Sequence, residues 1–280
     1  GPFSKPRKVF YCDEDQIHET VYMYNAKAHL HLSYEDKLLV SYNVNASSPE
    51  QTDRNGHLYL PRFIQLEDTT VTSWDRLFSD TFNIRVSMFK LLNKESIPGQ
   101  TVFVGDSITN EYPLEEMFKK HMPVYNRGIG GDTTEGLMTR LEESIFDLIP
   151  SKLFLLIGTN DLAFGDEGKQ RILRNLTICI DKVQERLPDC KIHLISILPV
   201  NNTDHLKINH EAVSIRTNQR IRSVNRLLEK LAINKHVTYI DVYSRLADEK
   251  GNLTIEYTRE GLHLSPKGYE ILTETLVLYM

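Results

Sequence analysis

The chain has 280 residues, 40% of them hydrophobic, enough to bury an α/β core and leave about a hundred residues over. A net charge of -5 and a pI near 6.1 exclude nucleic acid as a principal partner, because phosphate binding needs a concentrated basic face. No apolar run approaches membrane-spanning length, and three cysteines, Cys12, Cys179 and Cys190, are too few and odd in number for a disulfide framework.

From the amino terminus, ETVYMYN, KLLVSYNVN and LYLPRFIQL, near 19–25, 37–45 and 58–66, are rich in Tyr, Val and Ile and separated by polar turns. They read as antiparallel strands of a segment spanning 1–70. Together, YNAKAHLHLS, LLVSYNVN and LPRFIQL resemble the closing blade of the five-bladed β-propellers of glycoside-hydrolase-like domains. One blade does not make a propeller, so the remaining blades lie upstream or the strands form a small sheet. His29 and His31 alternate on one strand face, but two histidines without a third ligand are read as structural, and no metal is expected. No secretory signal opens the chain, and Gly1 and Pro2 look like a cloning remnant. A cytoplasmic location is the expectation, or a secreted one if a native amino terminus was removed. The sequons at Asn45, Asn175, Asn201 and Asn252 carry little weight without a secretory route.

Residues 71–98 form a connecting segment, in which Trp74, Leu77, Phe78, Phe82, Ile84, Val86, Phe89 and Leu91 predict a helix docked onto the larger carboxyl-terminal domain. From 99 to 280, apolar strands at about 101–104, 123–125, 153–157, 191–197 and 237–241 alternate with helical stretches at about 110–121, 133–147, 168–187, 208–233 and 266–279. That alternation specifies a five-stranded parallel sheet in a three-layer, flavodoxin-like α/β sandwich of strand order 2-1-3-4-5. Cys179 falls in the apolar pattern of one helix as a core residue. Arg216, Arg220 and Arg226, clustered with Arg222, fit the solvated side of another. His205 and His210 are five apart and share no helical face.

Four loops of this region carry chemistry. VFVGDSIT, 102–109, places Ser107 where a buried strand breaks into a helix, with helix amides near enough to stabilise an anion. The plain alternative is that Asp106 and Ser107 cap that helix. NRGIGGDTTEG, 126–136, has a cluster of glycines, Gly128, Gly130 and Gly131, that lets backbone approach a bound group. LFLLIGTND, 153–161, ends in Asn160, whose amide can donate to a developing oxyanion, or which, with Asp161, caps a helix. In EYTREGLHLSPKGY, 256–269, Glu260 and His263 lie three apart ahead of a final amphipathic helix, as a base and its orienting group would.

GDS, the glycine block, GTND and the terminal x-G-L-H, in that order, resemble the SGNH (GDSL) hydrolase family over roughly 99–280, and its bacterial acylhydrolase branch similar to platelet-activating-factor acetylhydrolase. The resemblance implies Ser107 as nucleophile, His263 as general base, and the Ser107 amide, Gly131 and Asn160 as oxyanion-hole donors, with no cofactor. One departure stands out. The family usually has Asp three residues before the histidine, where this chain has Glu260; a backbone carbonyl, Asp241 or Glu256 are the other candidates to orient the ring. The expected activity is removal of a short acyl group, most simply acetyl, from carbohydrate hydroxyls. Lipid ester hydrolysis and acyl transfer use the same residues, and a non-catalytic glycan-binding module on a hydrolase fold is the reading from another class.

Overall fold

The structure, a computed structural model, describes residues 21–28, 37–46, 62–67, 74–213 and 215–280. Cys12, His29 and His31 lie outside the described residues, as do the side chains of Trp74, Leu77 and Phe78. The chain divides into two units, Gly1–Ser73 and Trp74–Met280. In the first, β1 (Val21–Ala28), β2 (Lys37–Ala46) and β3 (Arg62–Glu67) form an antiparallel sheet in the order β1-β2-β3, with an irregularity between Tyr24 and Lys27.

The second unit opens with α1 (Trp74–Asn93). This helix docks less completely than its apolar residues predict. Phe89 is buried, Arg85 donates to the Gly128 carbonyl at 3.0 Å and Asn93 to the Glu143 carbonyl at 2.8 Å, while Ile84 and Leu91 remain 65% and 57% exposed.

Beyond α1 come five parallel strands: β4 (Thr101–Gly105), β5 (Val124–Gly128), β6 (Lys152–Leu156), β7 (Lys191–Ile195) and β8 (Thr238–Ile240), in the order β5-β4-β6-β7-β8. This is the 2-1-3-4-5 order expected from the sequence. Strand side chains alternate between faces, and here both faces are covered, so the central strands β4 and β6 read as nearly continuous apolar runs, while the edge strand β5 carries Asn126 and Arg127. Val102, Val104, Leu153, Leu155, Ile192 and Leu194 join one core, with Ile172, Leu176 and Ile180 of the long helix Gly165–Arg186; Phe103, Phe154, Ile195 and Ile240 join the other. Phe103 stacks on Phe154 with ring centroids 4.6 Å apart, and Phe154 on His193 at 4.5 Å.

The helices are α2 (Ser107–Asn110), α3 (Leu114–Met117), α4 (Thr134–Thr139), α5 (Leu141–Ser144), α6 (Gly165–Arg186), α7 (His210–Val213), α8 (Asn218–Lys235), α9 (Tyr243–Leu246) and α10 (Pro266–Leu276). Three of the long helices read from periodicity are therefore interrupted. The stretch 110–121 breaks at Pro113, 133–147 at Arg140, and 208–233 ahead of Thr217, whose hydroxyl accepts from the Arg220 amide and caps α8. Apolar spacing survives such breaks because each fragment still turns one face to the sheet. Cys179 is buried in the core, as its position in the pattern predicts. Asn175 and Asn201, both in sequons, are buried and hydrogen-bonded to Thr134 and to the Leu253 carbonyl.

Candidate active site

Register sets the site. Gly105 of β4 pairs with Gly128 of β5 and Leu156 of β6, so three loops leave the carboxyl edge of the sheet at one level, where the chain reverses its direction of winding. Gly105 is there for close approach rather than for a turn. A Cβ on it would lie 2.2 Å from the Leu156 carbonyl oxygen and 2.1 Å from Thr109 Oγ1.

Ser107 begins α2, and the two halves of the capping alternative separate. Asp106 does cap, accepting the Ile108 amide at 3.0 Å. Ser107 does not: its Oγ lies 2.9 Å from His263 Nε2, across 156 residues of sequence. His263 Nδ1 lies 2.6 Å from Glu260 Oε1, which also accepts the His263 amide at 2.9 Å. With Nδ1–H given to the carboxylate, Nε2 is left as the acceptor for the serine proton. Glu260 thus spans the extra methylene without loss of contact. Burial pushes its carboxyl upward, but hydrogen bonds from the His263 ring and amide, with the charges of His263 and Arg259, outweigh this and leave it below the ordinary value. Neither alternative carboxylate reaches the ring. Asp241 accepts from Ser244, and Glu256 pairs with Lys267.

The Glu260–His263 loop is held from several sides. Thr258 bridges to Leu264, the Arg259 amide donates to the His263 carbonyl at 2.9 Å, and Ser265 caps α10. Gly261 has φ 109, and a Cβ there would meet the Asn201 carbonyl oxygen at 2.7 Å. Tyr269 of α10 donates to the Ile108 carbonyl at 2.8 Å, tying the histidine-bearing segment to the helix that carries Ser107.

The glycine block and GTND meet as well. Gly131, with φ 75, precedes Asp132, whose carbonyl accepts from Asn160 Nδ2 at 2.8 Å. Asn160 makes no capping bond through its side chain. The buried Asp161 instead accepts the Thr134 amide and hydroxyl at 2.9 and 2.6 Å. Two arginines at this edge escaped the sequence reading. Arg140 is fully buried, paired with Asp132 at 2.7 Å and bonded to the carbonyls of Gly105 and Arg127. Arg216, expected on the solvated face of a helix, lies before α8 and is partly buried, donating to the Thr159 carbonyl and to Asn160 Oδ1 at 3.0 and 2.9 Å. Its place next to Thr217, a capping residue, was the one available hint that the helix had not yet begun.

Residues 103–271 match the GDSL-like Lipase/Acylhydrolase family. This chain belongs to that family. Residues 1–74 match a second family, described as a domain of unknown function (DUF5005). A Streptococcus pneumonia protein provisionally described as a platelet activating factor is 35% identical in sequence, with a TM-score of 0.69 over 74% of this chain and 95% of that one. Platelet-activating factor acetylhydrolase IB subunit alpha1 of Homo sapiens is 25% identical, over 61% of this chain and 70% of its own length. The uncharacterized lipoprotein YqeF of Bacillus subtilis is 27% identical over 58% of this chain and 74% of its own. An acetyl xylan esterase, AlAXEase, shares the fold at 20% identity and a TM-score of 0.52, over 65% of this chain and 99% of its own. This GDSL acylhydrolase is accordingly an ester hydrolase. Among the described residues no helix is long and apolar enough to cross a membrane, and no cluster of three metal-ligating side chains occurs.

Proposed function

We propose that this acylhydrolase is a serine esterase that removes short acyl groups, above all acetyl, from the hydroxyls of carbohydrate. Ser107 is the nucleophile, His263 the general base, Glu260 the orienting carboxylate, and the amides of Ser107 and Gly131 with Asn160 Nδ2 the oxyanion donors. The observation that carries this reading is the continuous hydrogen-bonded chain from Ser107 Oγ through the His263 ring to Glu260. His263 Nε2 takes the serine proton as Oγ bonds to the ester carbonyl carbon, and the carbonyl oxygen becomes an anion facing the donors. Collapse breaks the bond to the leaving alcohol, which takes the proton from His263. Water, activated by the same ring, then releases the acyl group and restores Ser107.

Acetyl is supported by the relatives named as acetylhydrolases. Carbohydrate is supported by the resemblance of the amino-terminal segment to a blade of a glycan-processing domain, and by a depression of about 300 Å³ beside the glycine block, lined by Phe82, Gly130, Gly131 and Thr133, which suits a single ring better than a long chain. A second reading, a lipid ester, is favoured by an apolar pocket of about 470 Å³ beside the histidine loop, lined by Pro113, Met117, Leu264, Pro266 and Tyr269, with Arg259 and Glu111 paired in its wall.

The test is acid release from acetylated sugars and polysaccharides beside short- and long-chain lipid esters. Faster release from the acetylated carbohydrates supports the first reading, and rates rising with acyl length replace it with the second. Hydrolysis of 4-nitrophenyl acetate should vanish in Ser107→Ala; equal rates in variant and wild type would remove Ser107 as nucleophile. Unchanged turnover in Glu260→Gln would remove Glu260 as the orienting group.

A further inference from the structure

The connection between β7 and α8 touches both halves of the catalytic apparatus. At its start the Asn201 amide donates to the Gly261 carbonyl, and in its middle the Asn209 amide donates to the Glu260 carbonyl, each at 2.8 Å. At its end Arg216 crosses to the oxyanion side with every nitrogen of its guanidinium engaged. Nε donates to the Thr159 carbonyl at 3.0 Å, Nη2 to Asn160 Oδ1 at 2.9 Å, and Nη1 to the Ala212 carbonyl at 2.8 Å.

The chemistry of these partners fixes a direction. A primary amide has one acceptor end and one donor end, and guanidinium is a donor only. Arg216 can therefore hold Asn160 solely by its oxygen, which turns the NH₂ end away from the arginine. One of those two N–H groups is taken by the Asp132 carbonyl at 2.8 Å, and the other is left for the site. Without the arginine only the Asp132 carbonyl still opposes a flip of the amide, which would present an oxygen where a negative charge must form. A cation on Oδ1 also polarises the amide so that its N–H groups donate more strongly.

We infer that Arg216 is a positioning residue of the oxyanion hole, which locks the Asn160 amide with its N–H toward the developing anion. The inference rests on the reading of Asn160 as an oxyanion donor. The interaction it protects strengthens in the transition state, so losing it lowers kcat and leaves KM nearly unchanged. Misplacing a catalytic group by about an ångström costs on the order of a hundredfold, so Arg216→Ala should lose about tenfold to a hundredfold in kcat. Arg216→Lys keeps the charge but not the planar fork, and should recover only part of the loss.

The deciding experiment is a double-mutant cycle on the full chain with 4-nitrophenyl acetate, comparing wild type, Arg216→Ala, Asn160→Ala and the double variant, each with a thermal melt. The expected result is that Arg216→Ala slows the wild type but adds less than about twofold once Asn160 is gone. Guanidinium ion added to Arg216→Ala should raise kcat, which a merely structural arginine would not produce. Multiplicative losses in the double variant, or an Arg216→Ala enzyme with unchanged kcat while Asn160→Ala is impaired, would overturn the inference and leave the oxyanion reading intact. Full turnover in Asn160→Ala would overturn both. Should Arg216→Ala fail to fold, the same cycle with Arg216→Lys decides between coupled and independent effects.

Discussion

Asp106, immediately before Ser107, is buried with its carboxylate capping α2. Burial raises its carboxyl from 3.8 to about 7, against the hydrogen bond from the Ile108 amide; the charge of Asp132 raises it further, and those of His263 and Arg216 lower it. A raised value means that the folded state holds the proton more tightly than the unfolded chain does. The stabilisation from that proton is complete below the unfolded value, falls as pH climbs from about 4, and is gone above about 7. Asp106→Asn keeps an acceptor for the cap and has nothing to titrate. Its stability relative to wild type should therefore improve between pH 4 and 7 by a few kcal/mol and stay level above that. Urea unfolding of both proteins across this range checks it, and a gap independent of pH would refute it. Asp106 as a cap was legible from the G-D-S motif; its burial between Asp132, His263 and Arg216 was not, because those neighbours come from three distant segments.

Among the elements, the break between α4 and α5 has a definite cause. Arg140 stands at the end of α4 with its side chain fully buried, serving Asp132, Ser144 and the carbonyls of Arg127 and Gly105. Burying a guanidinium costs heavily unless its donors are met, and here four partners from two strand ends, a loop and the next helix meet them. Asp132 is in turn the residue whose carbonyl accepts from Asn160, so this pair fixes the glycine block against the proposed oxyanion donor. Replacing Arg140 by Met should destabilise the protein by about 3–5 kcal/mol, since it strands a buried carboxylate. Denaturant unfolding measures that loss. Removing Asp132 as well, in an Arg140→Met/Asp132→Asn variant, should cost less than the sum of the single changes. The central strands were legible to within a few residues because a parallel sheet covered on both faces favours apolar runs, whereas the second half of β5, Asn126 to Gly128, shows no such run. The helix breaks were not, since each arises from hydrogen bonds that no periodicity records.

For the whole molecule, Ser107, Gly131, Asn160, Arg216, Glu260 and His263, with their hydrogen-bond partners, lie within Trp74–Met280. A fragment of residues 74–280 is therefore expected to fold and to hydrolyse 4-nitrophenyl acetate at a rate near that of the full chain. If the first unit serves carbohydrate recognition, the fragment should lose rate on acetylated polysaccharide while keeping it on the small ester. Circular dichroism and the two assays decide this; a fragment that fails to fold would show that the first 73 residues are needed for the core.

The sequence by itself determined the five strands, their alternation with helices, and the residue types that the loops between them carry. These are local properties, written in runs of apolar residues and in the few turn-forming residues that end them. Only the tertiary structure decided that Glu260 reaches His263 despite its added methylene, that Asp241 and Glu256 turn elsewhere, and that Arg140 and Arg216 face inward. For the arginines, those outcomes depend on groups up to 57 residues apart meeting within hydrogen-bond distance. A long cationic side chain on a polar stretch looks the same whether it reaches water or a carbonyl across the fold, and only the packed chain tells them apart.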